Sequence, residues 1–169
     1  MKGSKLFYAI LFCILLITFY IRTFNYDAFM DDEHSEVIIS DNDAGYHLRR
    51  IVDFATGTSD QIQFPDIRSY YPEGYVCHWS PGFDFLLGTL GKTFYFFKPD
   101  VYSLKIFICL LIPILAVLTV FAYYFLSAKL LPPAAALISA LLFALLPFHI
   151  TITYFALVDH HVAEFYFWF

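Results

Sequence analysis

Basic clusters are missing from this sequence. Its ten Lys and Arg are spread over 169 residues, and nothing forms the dense cationic face that neutralising nucleic-acid phosphates requires. Nucleic acid is excluded as a partner. Cysteine is scarcer still. Of three, Cys13 and Cys109 sit in apolar runs, where a thiol behaves as a small hydrophobe. Only Cys77 falls in the polar part of the chain, so that part closes no internal disulfide. Cys77-His78 is an isolated pair without zinc-site spacing. Acid is confined as well: 13 of the 15 Asp and Glu lie between Asp27 and Asp100, and the exceptions are Asp159 and Glu164.

What the sequence has in abundance is apolar surface. It is 60% hydrophobic and 21% aromatic, where soluble domains are about 45–50% apolar, and the excess points to a bilayer. Residues 6–24 are almost uninterrupted apolar sequence after Lys2 and Lys5, enough for the ~20 residues a spanning helix needs. The run ends at Tyr20-Ile21-Arg22-Thr23-Phe24 without the small residues of a signal-peptide cleavage site. Phe12 stands where a lipoprotein signal would want a small residue before Cys13. A retained first span is expected, its basic N-terminus in the cytoplasm by the positive-inside rule.

Residues 104–126, with Pro113 inside, give a second span, and residues 134–153, rich in small side chains, a third. The link between them carries one charge, Lys129. A fourth span is expected to start near 159–169. The ending Phe165-Tyr166-Phe167-Trp168-Phe169 has no polar cap, and the chain reads as an N-terminal fragment.

Residues 25 to about 100 form an outer loop too long for a simple connection. Within it, "DNDAGYHLRRIVDFATG" predicts a helix: Asp43 as N-cap, Leu48, Ile51, Val52 and Ala55 as an apolar stripe, and Gly57 as the stop. A turn is expected around Pro72-Glu73-Gly74. A second helix follows Pro81, with Phe83, Leu86, Leu87, Leu90 and Phe94 on its apolar face. Both helices are expected to lie along the membrane surface. His78 and Trp79 read as packing residues, His34 as part of a solvated acidic stretch, and His149 as structural.

Alternating spans put Asp159 on the same membrane face as Asp41 and Asp43. A carboxylate at the bilayer centre costs about 2.5–3.5 kcal/mol on insertion scales, so "VDHHVAE" must lie at an interface or in a wet or metal-filled cavity. A polar turn between helices accounts for these residues; so does a metal half-site. In an extended turn Asp159 and His161 point the same way and present an oxygen and a nitrogen to a divalent cation. On a helix, His160 and Glu164 share a face. Asp41-Asn42-Asp43 has the same spacing, which suits hard cations and the phosphates they bridge. The following helix N-terminus favours anions, and Arg49 and Arg50 could pair with phosphate. An N-cap within a solvated acidic loop is the plainer account of the same residues.

Together, "SDNDAGYHLRR", "YYPEG…HWSPGFDFL" and "DHHVAE", in this order and on one membrane face, resemble the catalytic subunit of the oligosaccharyltransferases, nearest the archaeal and some bacterial single-subunit members. The resemblance covers nearly the whole chain. It implies an all-α integral membrane protein of the multi-span C-type glycosyltransferase fold, with residues 1–169 the N-terminal part of the transmembrane catalytic domain.

It also implies an activity: en bloc transfer of an oligosaccharide from a polyprenyl-diphosphate carrier to asparagine in Asn-x-Ser/Thr sequons, aided by Mn2+ or Mg2+. Partners would be the lipid-linked oligosaccharide, an acceptor protein and membrane lipids. Asp43 would be catalytic and a metal ligand, joined by Asp159 and His161; the usual Asp-x-Glu pattern is here Asp-x-His. Asp41, Arg49, Arg50, His160 and Glu164 would support the site. A further outer-loop carboxylate and a Trp-Trp-Asp motif belong to the family pattern, and no Trp-Trp-Asp occurs in this sequence. Nor does an acceptor sequon, since Asn25 and Asn42 are followed by the wrong residues. Two other classes compete: another polyprenyl-phosphate-dependent membrane glycosyltransferase, against which "DHHVAE" argues, and a non-enzymatic transporter fragment, which would bury its acids mid-span.

Overall fold

A computed structural model describes residues 2–31, 33, 35–39, 41–59, 66–76 and 81–167. His34, Cys77, His78 and Trp79 lie outside the described residues. Among the described residues the chain is helical, with only isolated β-bridges, Met30 to Val37 and Asp66 to Tyr75.

Helix α1 (Lys2–Thr23) buries Leu11, Ile14, Thr18 and Arg22 along one stripe and exposes Leu6, Phe12, Leu16 and Tyr20 on the other side, as a membrane helix packed against one side of a bundle does. After a 3-10 turn at Tyr26–Phe29 comes α2 (Asn42–Thr56). Its N-cap is Asp41, whose carboxylate accepts from the amides of Asp43 and Ala44. This corrects the expectation that Asp43 caps. The extended backbone that a cap needs falls at Asp41, and Asp43 is already in the first helical turn. The predicted stop holds: Gly57 sits at φ 77, the left-handed conformation that glycine adopts without strain.

Helix α3 (Gly82–Phe97) packs on α2. Its buried face differs from the expected one: Leu86 and Leu90 are exposed, and Phe83, Asp84, Leu87, Gly88 and Gly91 are buried. The glycines decide this. A Cβ added at Gly88 would lie 2.6 Å from Cδ1 of Phe54, and one at Gly91 3.2 Å from Cβ of Ala55. An added side chain would push Phe54 aside and crowd Ala55, so the face with two glycines turns inward although the leucine face is more apolar.

Helix α4 (Val101–Ser127) is the pillar. Its 27 residues reach about 40 Å at ~1.5 Å per residue, more than the ~30 Å hydrocarbon core of a bilayer. Leu104, Ile108, Ile112, Ala116, Val120 and Tyr124 form one buried stripe. The first half of α4 packs with Leu48, Ile51, Ala55, Phe83 and Leu87 of the α2–α3 hairpin, and with Phe155, Val158 and Val162. The second half packs on Leu11 and Ile14 of α1 and on Ala136, Leu137, Ala140 and Ala144.

The third apolar run is not one helix. Helix α5 (Pro133–Ala144) stops, and α6 (Pro147–Thr151) restarts after Leu146 at φ −60, ψ 121. Pro147 lacks an N–H and pushes the residue before it out of the helical region. Backbone groups left unpaired by such a break need other partners when buried, and Arg22 supplies them: its guanidinium donates to the Ala144 and Thr18 carbonyls at 3.1 and 3.0 Å. It also reaches Thr153 Oγ1 at 2.7 Å and His149 Nδ1 at 2.9 Å. The Phe155 amide donates to the Arg22 carbonyl at 2.9 Å. The end of α1 is thus tied to the segment that leads into α7 (His161–Phe167).

Candidate functional site

Phe155 and Val158, both fully buried in the core around α4, anchor the turn that carries Asp159. The ring of Phe155 meets Tyr26 and Phe29 edge-on. That packing delivers Asp159, His160 and His161 to the N-terminal end of α2. There His47 Nε2 lies 3.2 Å from His160 Nδ1, and the rings are 5.2 Å apart. Two regions separated by 113 positions meet at one end of the bundle.

Asp159 is only 7% exposed. Its Oδ1 lies 2.7 Å from His160 Nδ1, and its Oδ2 3.8 Å from His161 Nε2. His161 Nδ1 is 3.0 Å from Glu164 Oε2, and His160 Nε2 is 3.9 Å from Glu164 Oε1. Potential ligand atoms of His47, Asp159 and His160 lie within 4.8 Å of one another, as do those of His160, His161 and Glu164. Asp43 is exposed on the first turn of α2, and its charge acts on His161.

The two adjacent imidazoles are driven apart. Burial lowers the pKa of His160, helped by the neighbouring His161 and His47 against the pull of Asp159 and Glu164. Burial would lower His161 too, but its hydrogen bond to Glu164 and the charges of Asp159, Glu164 and Asp43 outweigh it and raise the pKa. One ring therefore favours its neutral, lone-pair form, while its neighbour sits in an acidic field that attracts a cation.

The remaining residues singled out by the sequence are occupied elsewhere. Asp41 spends its carboxylate on the α2 amides, so that helix end is already satisfied by a side chain. Arg49 is bonded to Asp66 and lies 3.6 Å from Asp53. Arg50 is 3% exposed, with its Nη1 2.9 Å from Asp84 Oδ2 and its guanidinium 5.2 Å from the Tyr46 ring centre. Both arginines hold the loop together.

The sequence alone assigns no role to His47 or to Asp84. Both are fully buried, and His47 Nδ1 lies 2.5 Å from Asp84 Oδ1. A signal was present: Asp84 is the lone acid in the run from Gly82 to Phe97, beside the expected core residue Phe83.

Two segments, α1 with the turn after it and α4, are long and apolar enough to cross a bilayer, and an acid–histidine cluster lies at one end of the helical body. The chain matches the family described as "Oligosaccharyl transferase STT3, N-terminal" over residues 6–169, and it belongs to that family of membrane glycosyltransferases. A comparison with curated proteins found no match.

Proposed function

We propose that the protein transfers an oligosaccharide en bloc from a polyprenyl-diphosphate carrier to the asparagine of Asn-x-Ser/Thr sequons, with Asp43, Asp159 and His161 holding Mn2+ or Mg2+. Membership of the family over residues 6–169 carries the reaction class. The observation that carries the site is the 3.8 Å between Asp159 Oδ2 and His161 Nε2. Two ligands each about 2.0–2.2 Å from one cation stand some 3–4 Å apart. Asp43, in the first turn of α2, would close the set and orient the acceptor amide. A bound divalent cation supplies Lewis-acid stabilisation of the diphosphate leaving group. The buried side of the cluster excludes water around Asp159, and Glu164 holds the His161 ring.

In this reading Lys2 and Lys5 lie on the cytoplasmic side and the cluster on the outer face. Residues 1–169 alone would be inactive, because the further carboxylate and the Trp-Trp-Asp motif that the family resemblance implies must complete the site. The test is glycosylation of a sequon peptide by full-length protein in membranes, with a lipid-linked donor and added Mn2+. Metal-dependent transfer that collapses in both Asp43→Ala and His161→Ala supports the reading. No transfer from a diphosphate donor, or full activity in both variants, overturns it in favour of another carrier class or a transporter.

A further inference from the structure

Asp84 is an acid with no place in the cation site, yet it is fully buried. Close polar contacts lead from it to that site step by step. A carboxylate oxygen only accepts, so the 2.5 Å contact with Asp84 Oδ1 places the proton of His47 on Nδ1. At the next link, His160 Nδ1 lies 2.7 Å from Asp159 Oδ1 and 3.2 Å from His47 Nε2. A proton on His160 Nδ1 faces both neighbours: it bonds His47 Nε2 and lies against Asp159 Oδ1 as an ion-pair contact. His47 Nε2 must then be the lone-pair nitrogen, because two N–H groups cannot face each other at that distance.

This assignment suits the three contacts named. It leaves Asp159 with Oδ1 engaged by His160 and Oδ2 turned toward His161 Nε2 at 3.8 Å. Arg50 Nη1, 2.9 Å from Asp84 Oδ2, sets a positive charge beside the start of the chain as an ion pair.

We infer that Asp84 and His47 are positioning residues: acting through His160, they hold Asp159 with Oδ2 presented to the cation shared with His161. The inference rests on the reading of Asp159 and His161 as cation ligands. It follows the general behaviour of metal sites, in which residues bonded to the ligands set ligand orientation, and their loss weakens metal binding about 10–100-fold. It also accounts for the burial of a carboxylate and an imidazole in the α2–α3 hairpin, where apolar side chains would pack as well.

The test is Mn2+ binding to full-length protein in detergent, read from the electron paramagnetic resonance signal of free Mn2+, together with transfer measured against Mn2+ concentration. His47→Phe keeps an aromatic ring and leaves the Asp84–Arg50 pair in place. It should weaken Mn2+ binding about tenfold or more, with transfer recovering at saturating Mn2+. Asp84→Asn and His47→Gln carry the same expectation, so a variant lost to misfolding does not remove the test. A purely structural role would lower the melting temperature and leave the Mn2+ affinity of the folded variant unchanged; that result overturns the inference alone. A wild-type protein that binds no Mn2+ overturns the cation reading as well, and the two failures are told apart by the wild-type titration.

Discussion

Arg22 Nε donates to Thr153 Oγ1 at 2.7 Å across 131 positions of sequence, and the same guanidinium caps the broken end of α5 at the Ala144 carbonyl. Removing it should leave buried acceptors unmet, at about 1–3 kcal/mol each. Arg22→Met is therefore expected to lower thermal stability in detergent sharply. Arg22→Lys should recover only part of the loss, since an ammonium lacks the planar fork that reaches several partners at once. Equal melting temperatures for Arg22→Met and wild type would refute the capping role.

The glycines of the outer loop divide by their neighbours. Replacing glycine inside a helix with alanine gains about 0.8–1.0 kcal/mol of propensity. At Gly45 an added Cβ meets Ile39 Cγ2 at 3.7 Å, ordinary contact, and Gly45→Ala should stabilise. At Gly88 the added atom lies 2.6 Å from Phe54 Cδ1, and overpacking costs about 1–3 kcal/mol. Gly88→Ala should destabilise in spite of its propensity. Thermal unfolding of the two variants, read as shifts of opposite sign, checks both.

Asp41 and Asp43 are predicted to fail in different ways. Asp41 caps α2, and serine caps about as well as aspartate, so Asp41→Ser should keep both stability and transfer. Asp43 gives the cap only its backbone amide, and its side chain is proposed as a ligand. Asp43→Ser should fold normally and lose transfer. Loss of transfer in Asp41→Ser at wild-type stability would move Asp41 into the cation site.

Acid should loosen the loop through Asp66. Burial would raise its pKa, but the Arg49 hydrogen bond, the Arg68 amide and the charges of Arg49 and Arg50 more than reverse this and lower it. A carboxylate depressed in the folded state contributes stability above its unfolded pKa of about 3.9, and that contribution disappears as pH falls through the folded value. Asp66→Asn should be less stable than wild type at pH 6, with the gap closing below about pH 4. Melting temperatures of the two proteins between pH 3 and 7 decide it.

Several of the helices, and their class, were legible in the sequence. The apolar runs at the positions of α1 and α4 are long enough to span, because a bilayer demands length and hydrophobicity and little else. The apolar stripe and stop of α2 were legible for a similar reason: periodicity and the left-handed preference of glycine at Gly57 are local physics. The acids of "DND" and "VDHHVAE" stood out because charge is expensive in so apolar a chain. Local rules were not always enough. The cap at Asp41 depended on which of two acids took the extended backbone, and composition does not separate them.

Tertiary structure decided the rest. Which face of α3 turned inward was set by how closely α2 approaches Gly88 and Gly91, a distance no pattern of leucines encodes. The break between α5 and α6 was written at Pro147, but it is held inside the bundle by Arg22, whose distance in sequence from Ala144 hid the partnership. His47, Asp84 and His160 come together because the first half of α4 gathers the α2–α3 hairpin and the Phe155–Val158 turn onto one core. Hydrogen bonds between residues far apart in the chain have no sequence spacing to betray them.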